Sequence, residues 1–481
     1  MPLTKHYHPA PWRCRQDRRL RRYLQREIVP HHPYYRERFR ELGITPARIH
    51  SVADLQRIPG LITQKRDIVG RDRDFVLQPE FGSLLRADPA HLLAAAVRAR
   101  GRSAALREFL EREYRPVVYT LTTGRSSART AFVFTRFDLD GFVAKAARGI
   151  FSMLEIPRDS IGVSVFPVAL HLAHVFSVEG ARAVPSAVLP LLGLTTEQRI
   201  AAIETLKPFV LFGVTSYVER LVALAAAEGK DFSSISRVVV GGEGMTEAQR
   251  QRIVAALCAA GAKDPVVVGS YGFTEARLAM LECLQGAREG APVGYHCDPD
   301  LAIIETVRIK ENTDGAVMEA VPCVPGEEGE VLFTPLSGHG TVVLRWRTRD
   351  VAILTDEPCP ACGSGAPRIL PPIRRRSSDM LKNVRGTLVD FDDVARLFAN
   401  EPAVRAWQIT IGNDGSRDTL VAALALDDGA DVAETLRGLQ RAFKMCTEVT
   451  LDEILVEPYE ALILELGTDA ELKERRIVDE R

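Results

Sequence analysis

The pattern of apolar and polar positions divides the chain into three stretches. Residues 17–110 have the pattern of a series of helices, with a turn signal at Pro30. Residues 117–366 alternate short runs rich in valine and isoleucine, such as residues 265–268, with segments of helical length. That alternation is typical of parallel βαβ units and predicts one large α/β body.

A different pattern begins after residue 376. It predicts a strand, a helix, two paired strands, a helix and a strand, at residues 387, 392–398, 406–412, 419–426, 431–444 and 453–456. This βαββαβ order fits a small α+β module of about a hundred residues. The predicted domains are an N-terminal domain, 1–377 (helical 1–115, α/β 116–377), and a mobile C-terminal domain, 378–481.

Composition narrows the classes of function. The 481 residues are 46% hydrophobic, enough to fill the cores of two or three folded domains. The 62 lysines and arginines balance 63 aspartates and glutamates, so no net field favours nucleic acid or an acidic membrane, and we expect a small-molecule partner. No run of residues approaches the length of a membrane span. Eight scattered cysteines favour a reducing cytoplasm over a disulfide framework.

Polar loops follow several of the predicted strands. Residues 119–127 carry five serine or threonine hydroxyls, a glycine and Arg125, a set that suits charge-assisted hydrogen bonds to a triphosphate. A polar surface turn would have the same composition. Residues 241–249 place glycines and a threonine cap where a buried strand passes into a helix, so that a flat base could approach the backbone. A plain strand-to-helix connection is the alternative.

Two further segments add groups suited to a nucleotide. The next strand end carries Tyr271, which can stack on a base, Thr274, which can reach a phosphate, and Glu275, which can hold magnesium. Residues 344–352 form a predicted strand with basic residues at alternate positions, and Asp350 could accept both ribose hydroxyls. An exposed strand face is the alternative interpretation of that pattern.

These segments, together with residues 376–381, occur in the order seen in adenylate-forming enzymes. The chain resembles that superfamily over nearly its whole length, and it is most similar to the phenylacetate-CoA ligase branch, whose opening segments correspond to residues 33–39 and 51–59. The resemblance implies an enzyme that uses ATP and Mg²⁺ to activate a carboxylic acid as its acyl-AMP. Leu121 and Arg125 stand where the family usually has glycine and lysine, and arginine keeps the charge but changes the geometry.

The resemblance also implies a role for each site residue. The nucleotide-binding set is Thr122, Thr123, Gly124, Arg125, Gly242, Glu243, Tyr271, Gly272, Asp350 and Arg376. Thr274 would contact the α-phosphate and Glu275 the magnesium, while Ser378 would be the hinge about which the C-terminal domain rotates. Lys473 falls on the family's catalytic lysine, where a cation would stabilise the charge that develops at the α-phosphate as the carboxylate attacks.

A separate signal points to a metal. Cys359 and Cys362 have the spacing of a zinc knuckle, in which two thiolates on a tight turn share one tetrahedral ion. Similarity to some phenylacetate-CoA ligase relatives supplies Cys283 and His296 as the other two ligands, with Cys297 as the substitute if the register is shifted. We therefore predict a closed, structural Cys3His site for Zn²⁺; free thiols are the alternative.

The acyl pocket and the acyl acceptor are less constrained. His171, His174 and Phe166 fall where the family lines its acyl pocket. Phe166 and the leucines beside the histidines suit a small, apolar acid, and we expect an aromatic one. The histidines could equally be capping or core residues. The leading hypothesis is transfer of the acyl group to CoA. Transfer to an amine, a carrier protein or another nucleophile is one alternative, and a non-catalytic nucleotide-binding scaffold is a second. Relatives in this branch also suggest a homodimer.

Overall fold

A computed structural model describes residues 9–481 except 88, 99–102, 122–129, 168–171, 292, 313–314, 376–380, 386, 416 and 469–473. The chain forms two compact units. Unit 1 comprises Met1–Ser164, Ala169–Pro190 and Val268–Ile373, and unit 2 comprises Val165–Val168, Leu191–Val267 and Arg374–Arg481. Among the described helices, none is both long and apolar enough to cross a membrane.

Helices and strands alternate through most of the chain. The α-helices are α1 (Pro9–Tyr23), α2 (Val29–His31), α3 (Pro33–Glu41), α4 (Val52–Gln56), α5 (Lys65–Ile68), α6 (Phe81–Ala87), α7 (Pro89–Arg98), α8 (Ser103–Tyr114), α9 (Ala144–Met153), α10 (Leu172–Val175), α11 (Thr196–Leu206), α12 (Thr215–Ala227), α13 (Glu247–Ala259), α14 (Leu284–Arg288), α15 (Phe391–Ala399), α16 (Val432–Thr447) and α17 (Tyr459–Leu466). The strands are β1 (Pro116–Leu121), β2 (Ala131–Thr135), β3 (Ile161–Ser164), β4 (Ala187–Pro190), β5 (Val210–Val214), β6 (Arg237–Gly241), β7 (Val266–Gly272), β8 (Ala279–Glu282), β9 (Tyr295–His296), β10 (Ala302–Glu311), β11 (Val317–Pro322), β12 (Glu328–Pro335), β13 (Trp346–Thr355), β14 (Arg368–Arg375), β15 (Leu381–Val384), β16 (Thr387–Asp390), β17 (Val404–Asn413), β18 (Asp418–Leu426), β19 (Glu453–Val456) and β20 (Ile477–Asp479).

The first part of unit 1 is helical over the described residues between 9 and 114. Helices α1 to α8 fill it, and their apolar side chains share one core with later strands. Tyr35, Phe75 and Phe132 are fully buried there, and each such side chain contributes roughly 2–3 kcal/mol through burial. Phe132 lies on β2, so this core fixes the strand that follows the predicted phosphate loop.

The strands of unit 1 are paired in two ways. β3 and β4 are parallel, which confirms a βαβ unit, while β1 and β2 form an antiparallel hairpin around residues 122–129. The later strands are neighbours in the order β11-β10-β12-β13-β14-β9-β8-β7. Antiparallel pairs join β7 to β8, β8 to β9, β10 to β11 and to β12, and β12 to β13. These later pairs are antiparallel, so the parallel pattern predicted from the sequence does not describe this part of the sheet.

Unit 2 contains a second parallel pair, β5 and β6, connected by α12. The valines at 238–240 are buried, as expected for a strand covered on both faces. After β6 the chain enters α13 through a capping box: the Thr246 hydroxyl accepts from Gln249 N at 3.2 Å and the Gln249 side chain accepts from Thr246 N at 3.1 Å. The helix therefore begins within residues 241–249, the segment predicted to lie beside adenine, with Thr246 as its N-cap.

The C-terminal part of unit 2 contains all six predicted elements of the small module. β17 and β18 are antiparallel, and β19 and β20 flank them as parallel strands in the order β19-β18-β17-β20. The first predicted strand, β16, instead pairs with β15. The sequence did not predict α17 or β20; the latter has three residues, too few for a period-two signal. The predicted hinge, Ser378, lies outside the described residues, so the domain bounds stay a prediction.

Candidate active site and metal centre

Two of the predicted nucleotide-binding residues meet in unit 1. Tyr271, near the end of β7, donates its hydroxyl hydrogen bond to Asp350 Oδ2 at 2.7 Å. Asp350 lies on β13, where its backbone N–H donates to the Thr348 hydroxyl at 3.0 Å. The fold therefore brings together the side chain predicted to stack on adenine and the carboxylate predicted to hold the ribose, although they are far apart in sequence.

The predicted phosphate and magnesium residues follow immediately on a tight turn. Thr274 and Glu275 lie on a 3₁₀ turn, in which Ala276 N donates to Phe273 O at 3.0 Å. The Thr274 side chain is buried and that of Glu275 is half-buried. The turn ends at Arg277, whose φ of 56° is in the left-handed region. A hydroxyl and a carboxylate therefore lie on one hydrogen-bonded turn, close in sequence to Tyr271.

Gly272 has a steric reason to be glycine. A Cβ at this position would lie 3.0 Å from the Leu278 carbonyl oxygen and 3.4 Å from Ala279. The missing side chain lets β7 and β8 pair closely at the strand end. This account is structural, and nucleotide binding by Gly272 stays a prediction.

In unit 2 the predicted adenine segment engages other parts of the same unit. Gly242 is exposed with a φ of 86°, a conformation that favours glycine. Glu243 is half-buried, and its Oε2 accepts from the Ser216 hydroxyl at 2.8 Å while its Oε1 accepts from Glu474 N at 3.2 Å. Burial, reinforced by the charge of Glu474, raises the pKa of Glu243. We call this contact of Ser216, Glu243 and Glu474 the tail junction.

The tail junction anchors the chain next to the predicted catalytic lysine. The buried Glu474 carboxylate accepts from the Thr468 hydroxyl at 2.6 Å and pairs with Arg476 at 2.5 Å. Arg475 N donates to Leu466 O at 3.0 Å. The chain is therefore held on both sides of residues 469–473, which lie outside the described residues and include Lys473. The sequence alone assigned no role to Ser216 or Glu474. Ser216 stands in no recognisable motif, and Glu474, although next to Lys473, has no local signal that would pair it with Glu243.

The four predicted metal ligands come together in unit 1. Cys283, His296 and Cys359 are buried, Cys362 is half-buried, and their ligand atoms all lie within 4.8 Å of one another. We call these four residues the cysteine–histidine cluster. They come from the start of α14, from β9 and from the turn before β14, so three separate segments contribute.

Distances inside the cysteine–histidine cluster match those of a tetrahedral zinc site. The Cys359 and Cys283 sulfurs are 3.8 Å apart, and Cys362 Sγ is 3.6 Å from His296 Nε2. Tetrahedral geometry with ordinary zinc bond lengths places sulfurs about 3.8 Å apart and sulfur about 3.6 Å from nitrogen. Hydrogen bonds from Cys283 and Cys362 lower the pKa of Cys359, while that of Cys283 is raised by its bond to Cys359. The donor set and its spacing thus fit Zn²⁺.

Cys297, the substitute ligand, lies outside this cluster. Its thiol is buried 3.4 Å from the Met280 sulfur and 3.8 Å from the Tyr295 carbonyl oxygen, and burial raises its pKa to about 12. These are the surroundings of an inert core thiol. The cluster geometry therefore favours His296 over a shifted register.

The arginines before Asp350 do not form the exposed strand face that was the alternative interpretation of this segment. Arg345 is fully buried and pairs with Glu305 at 3.1 Å, and Arg347 is buried and pairs with Glu330 at 2.6 Å. That interpretation is wrong for both arginines, because each is buried with a carboxylate partner: Glu305 lies on β10 and Glu330 on β12. The Arg347–Glu330 ion pair joins β13 to its paired strand β12.

Several predicted site residues lie outside the part of the chain that the structure describes. They are Thr122, Thr123, Gly124, Arg125, His171, Arg376, Ser378 and Lys473, together with the side chain of His174. Phe166 is described and half-buried in unit 2. The predicted phosphate loop, acyl pocket and hinge therefore stay predictions.

Comparison with known proteins gives a consistent picture. Residues 145–338 match the family model described as AMP-binding enzyme. The phenylacetate-coenzyme A ligase of Aromatoleum evansii is 26% identical over 471 residues, covering 93% of this chain and 90% of the relative. That of Thermus thermophilus is 28% identical over 415 residues, covering 84% and 79%. A 2-hydroxyisobutyryl-CoA ligase, solved with an acyl-AMP, superposes with a TM-score of 0.71 at 18% identity, covering 100% of this chain and 91% of that one.

These comparisons confirm the predicted resemblance to the adenylate-forming, AMP-binding superfamily and the α/β fold predicted with it. Among the proteins compared, the chain is similar to those named phenylacetate-coenzyme A ligase, in agreement with its motifs.

Proposed function

We propose that this protein activates a small carboxylic acid with ATP, releases pyrophosphate and transfers the acyl group from acyl-AMP to CoA. The observation that carries the proposal is the hydrogen bond between Tyr271 and Asp350 beside the Thr274–Ala276 turn. It is supported by the similarity to relatives named phenylacetate-coenzyme A ligase over most of both chains.

Asp350 and Tyr271 are proposed to bind the nucleoside. A carboxylate offers about four lone-pair sites, so an Asp350 oriented by the Tyr271 hydroxyl has capacity for ribose hydroxyls as well. The Tyr271 ring is half-buried and packs against Phe273 and Tyr295, with centroids 5.8 and 6.3 Å away. A ring restrained in this way is a suitable surface for a purine.

Thr274 and Glu275 are proposed to act at the phosphates. Mg²⁺ prefers hard oxygen ligands and usually takes one or two carboxylates plus substrate phosphates, and the carboxylate of Glu275 on a rigid turn fits that role. Bound magnesium would neutralise phosphate charge. The Thr274 hydroxyl would donate to an α-phosphate oxygen.

The chemistry proceeds by two displacements. A carboxylate oxygen of the acid attacks the α-phosphorus, and the bond to pyrophosphate breaks. Lys473 is proposed to stabilise the charge that develops there, a contribution that is largest in a dry, preorganised site. The CoA thiol then attacks the acyl carbon, and AMP leaves.

We also propose that the cysteine–histidine cluster binds one structural Zn²⁺. Three thiols and one imidazole fill four positions, which closes the coordination sphere and leaves no place for a reacting water. The ion would connect the segments before α14 and β14 to β9. Because unfolded chain offers no preformed site, the binding free energy would stabilise the fold.

The test is pyrophosphate exchange into ATP over a panel of aryl and short-chain acids. We expect exchange that depends on one class of acid and on Mg²⁺. Binding of ATP without exchange for any acid would instead support a non-catalytic scaffold.

A second assay identifies the acceptor. CoA, simple amines and a carrier-protein thiol are each offered to the enzyme with the best acid, and products are separated by mass. We expect the CoA thioester, as the relatives' names suggest. An amide or carrier-bound product with no thioester would retain adenylation and reject CoA as the acceptor.

A further inference from the structure

A buried ion pair joins the Thr274–Ala276 turn to the β1–β2 hairpin. Arg277, the residue that ends the turn, donates from Nη1 to Asp138 Oδ1 at 3.0 Å, and the two side chains are each 1% exposed. Asp138 follows shortly after β2, which ends at Thr135. The pair thus links two elements that are far apart in sequence.

Arg277 is unusual in both backbone and side chain. Its φ of 56° is in the left-handed region, which a long side chain rarely adopts. Its N–H donates to Thr274 O at 3.3 Å, and its guanidinium lies 5.7 and 5.6 Å from the ring centroids of Phe134 and Phe142. Such strain persists only where the surroundings over-determine it, and it concentrates at functional sites.

Asp138 is saturated with hydrogen bonds from the protein. Besides Arg277, it accepts from the backbone N–H groups of Thr135 at 2.8 Å, His339 at 3.0 Å and Gly340 at 2.8 Å. Burial opposes its ionisation, but Arg277 and these donors outweigh burial and lower the pKa of Asp138. Its negative charge is therefore maintained inside the core.

The fold leaves space for this pair by placing glycine at two positions. A Cβ on Gly338, whose φ is 135°, would overlap the Arg277 guanidinium, and a Cβ on Gly340 would lie 2.7 Å from Asp138 Oδ2. The Gly338 carbonyl in turn accepts from the Tyr23 hydroxyl at 2.6 Å. Several segments of unit 1 are thus shaped around one ion pair.

We infer that Asp138 and Arg277 are positioning residues that hold the β1–β2 hairpin at a set separation from the turn bearing Thr274 and Glu275. Strands β1 and β2 stand on either side of the predicted phosphate loop in the sequence, so the pair would set where these two strands lie relative to Glu275, the residue proposed to bind Mg²⁺. A well-packed apolar pair would stabilise a core as well as buried charges do, so stability alone does not explain this ion pair. Its contribution is to fix one relative position of the hairpin and the turn. The inference rests on the proposed function.

The test compares two buried arginines, each paired with a carboxylate. Arg277→Lys keeps the charge but loses the planar fork, so the turn should shift. We expect the rate constant for pyrophosphate exchange per folded molecule to fall about 10- to 100-fold, with a higher Mg²⁺ concentration needed for half-maximal rate. Arg345→Lys is the matched control, because Arg345 is also buried, carboxylate-paired and left-handed, with a φ of 47°. It should lose comparable stability yet keep the wild-type rate constant and Mg²⁺ dependence.

Asp138→Asn is the second variant, used where Arg277→Lys does not fold. It should reproduce the shift in Mg²⁺ dependence, since it removes the partner charge at unchanged size. Two results would overturn the inference if the wild type exchanges normally. One is an equal fall in the exchange rate constant per folded molecule in Arg277→Lys and Arg345→Lys. The other is a Mg²⁺ dependence that is unchanged in both Arg277→Lys and Asp138→Asn. Absence of exchange in the wild type would remove the proposed function and this inference with it.

Discussion

The cysteine–histidine cluster in unit 1 and the tail junction in unit 2 both gather polar groups from distant segments, but their chemistry differs. In the cluster, thiols and an imidazole face one another, and thiols are weak hydrogen-bond partners. In the tail junction, both Glu243 carboxylate oxygens accept hydrogen bonds from the protein. Soft donors without strong protein partners indicate an ion, whereas hydrogen-bonded carboxylates hold two chain segments together.

We expect the largest effect from substitutions that remove a ligand from the cysteine–histidine cluster. Cys359→Ser and Cys362→Ser each replace a thiolate by a poor zinc ligand, so bound zinc should fall from about one per chain to nearly none. The free energy of unfolding should fall by about 3–5 kcal/mol, since metal binding contributes to folding. Elemental analysis after dialysis and denaturant unfolding measure the two effects. Cys258→Ser, at an exposed thiol, is the matched control and should change neither. Full zinc content in the cluster variants would contradict the metal site.

The next effect concerns the residue beside the tail junction. Lys473→Ala should lower pyrophosphate exchange about 10²- to 10³-fold, equivalent to about 3–4 kcal/mol, because it removes a cation acting on the transition state. Thermal unfolding should be unchanged. Lys444→Ala, at an exposed position on α16, serves as the control and should exchange normally. Equal exchange by Lys473→Ala and the wild type would exclude Lys473 from the mechanism.

A smaller effect is expected on the pH dependence of stability, to which Glu243 of the tail junction contributes. Because the pKa of Glu243 is raised in the folded state, folding favours its protonated form, and the stabilisation is present below the unfolded pKa and lost as pH rises through the folded pKa. The free energy of unfolding of Glu243→Gln, measured relative to that of the wild type, should therefore increase as pH rises from about 4 to 8. We expect an increase of about 1 kcal/mol at this half-buried site. Urea unfolding across that range measures it.

Glu465→Gln, at an exposed position on α17, is the control for this pH series. Its stability should run parallel to that of the wild type at every pH. A Glu243→Gln curve that also runs parallel would mean that the carboxylate titrates alike in the folded and unfolded chain.

The smallest expected effect on metal content tests whether Cys297 belongs to the cysteine–histidine cluster. Cys297→Ala should retain about one zinc per chain, because its thiol packs against Met280 instead of the four ligands. Stability should fall by about 1 kcal/mol from the small cavity. Loss of zinc in this variant would place Cys297 in the coordination sphere and displace His296.

Local patterns in the sequence determined a large part of this protein. The order of helices and strands follows from apolar periodicity, and Thr246 with Gln249 predicts where α13 begins. Cys359 and Cys362 are close in sequence, so their spacing alone indicates a metal. Motif order was enough to indicate the superfamily, because its polar loops stand at fixed places between the strands.

Only the tertiary structure decided which distant groups meet. Arg345 and Arg347 would have the same sequence pattern on a solvated strand, and it is packing that buries them beside Glu305 and Glu330. Likewise, no local signal pairs Arg277 with Asp138 or Glu243 with the Glu474 backbone. A residue's charge is part of the sequence, but its partner and its burial depend on how separate segments pack, and these decide whether that charge binds, positions or stabilises.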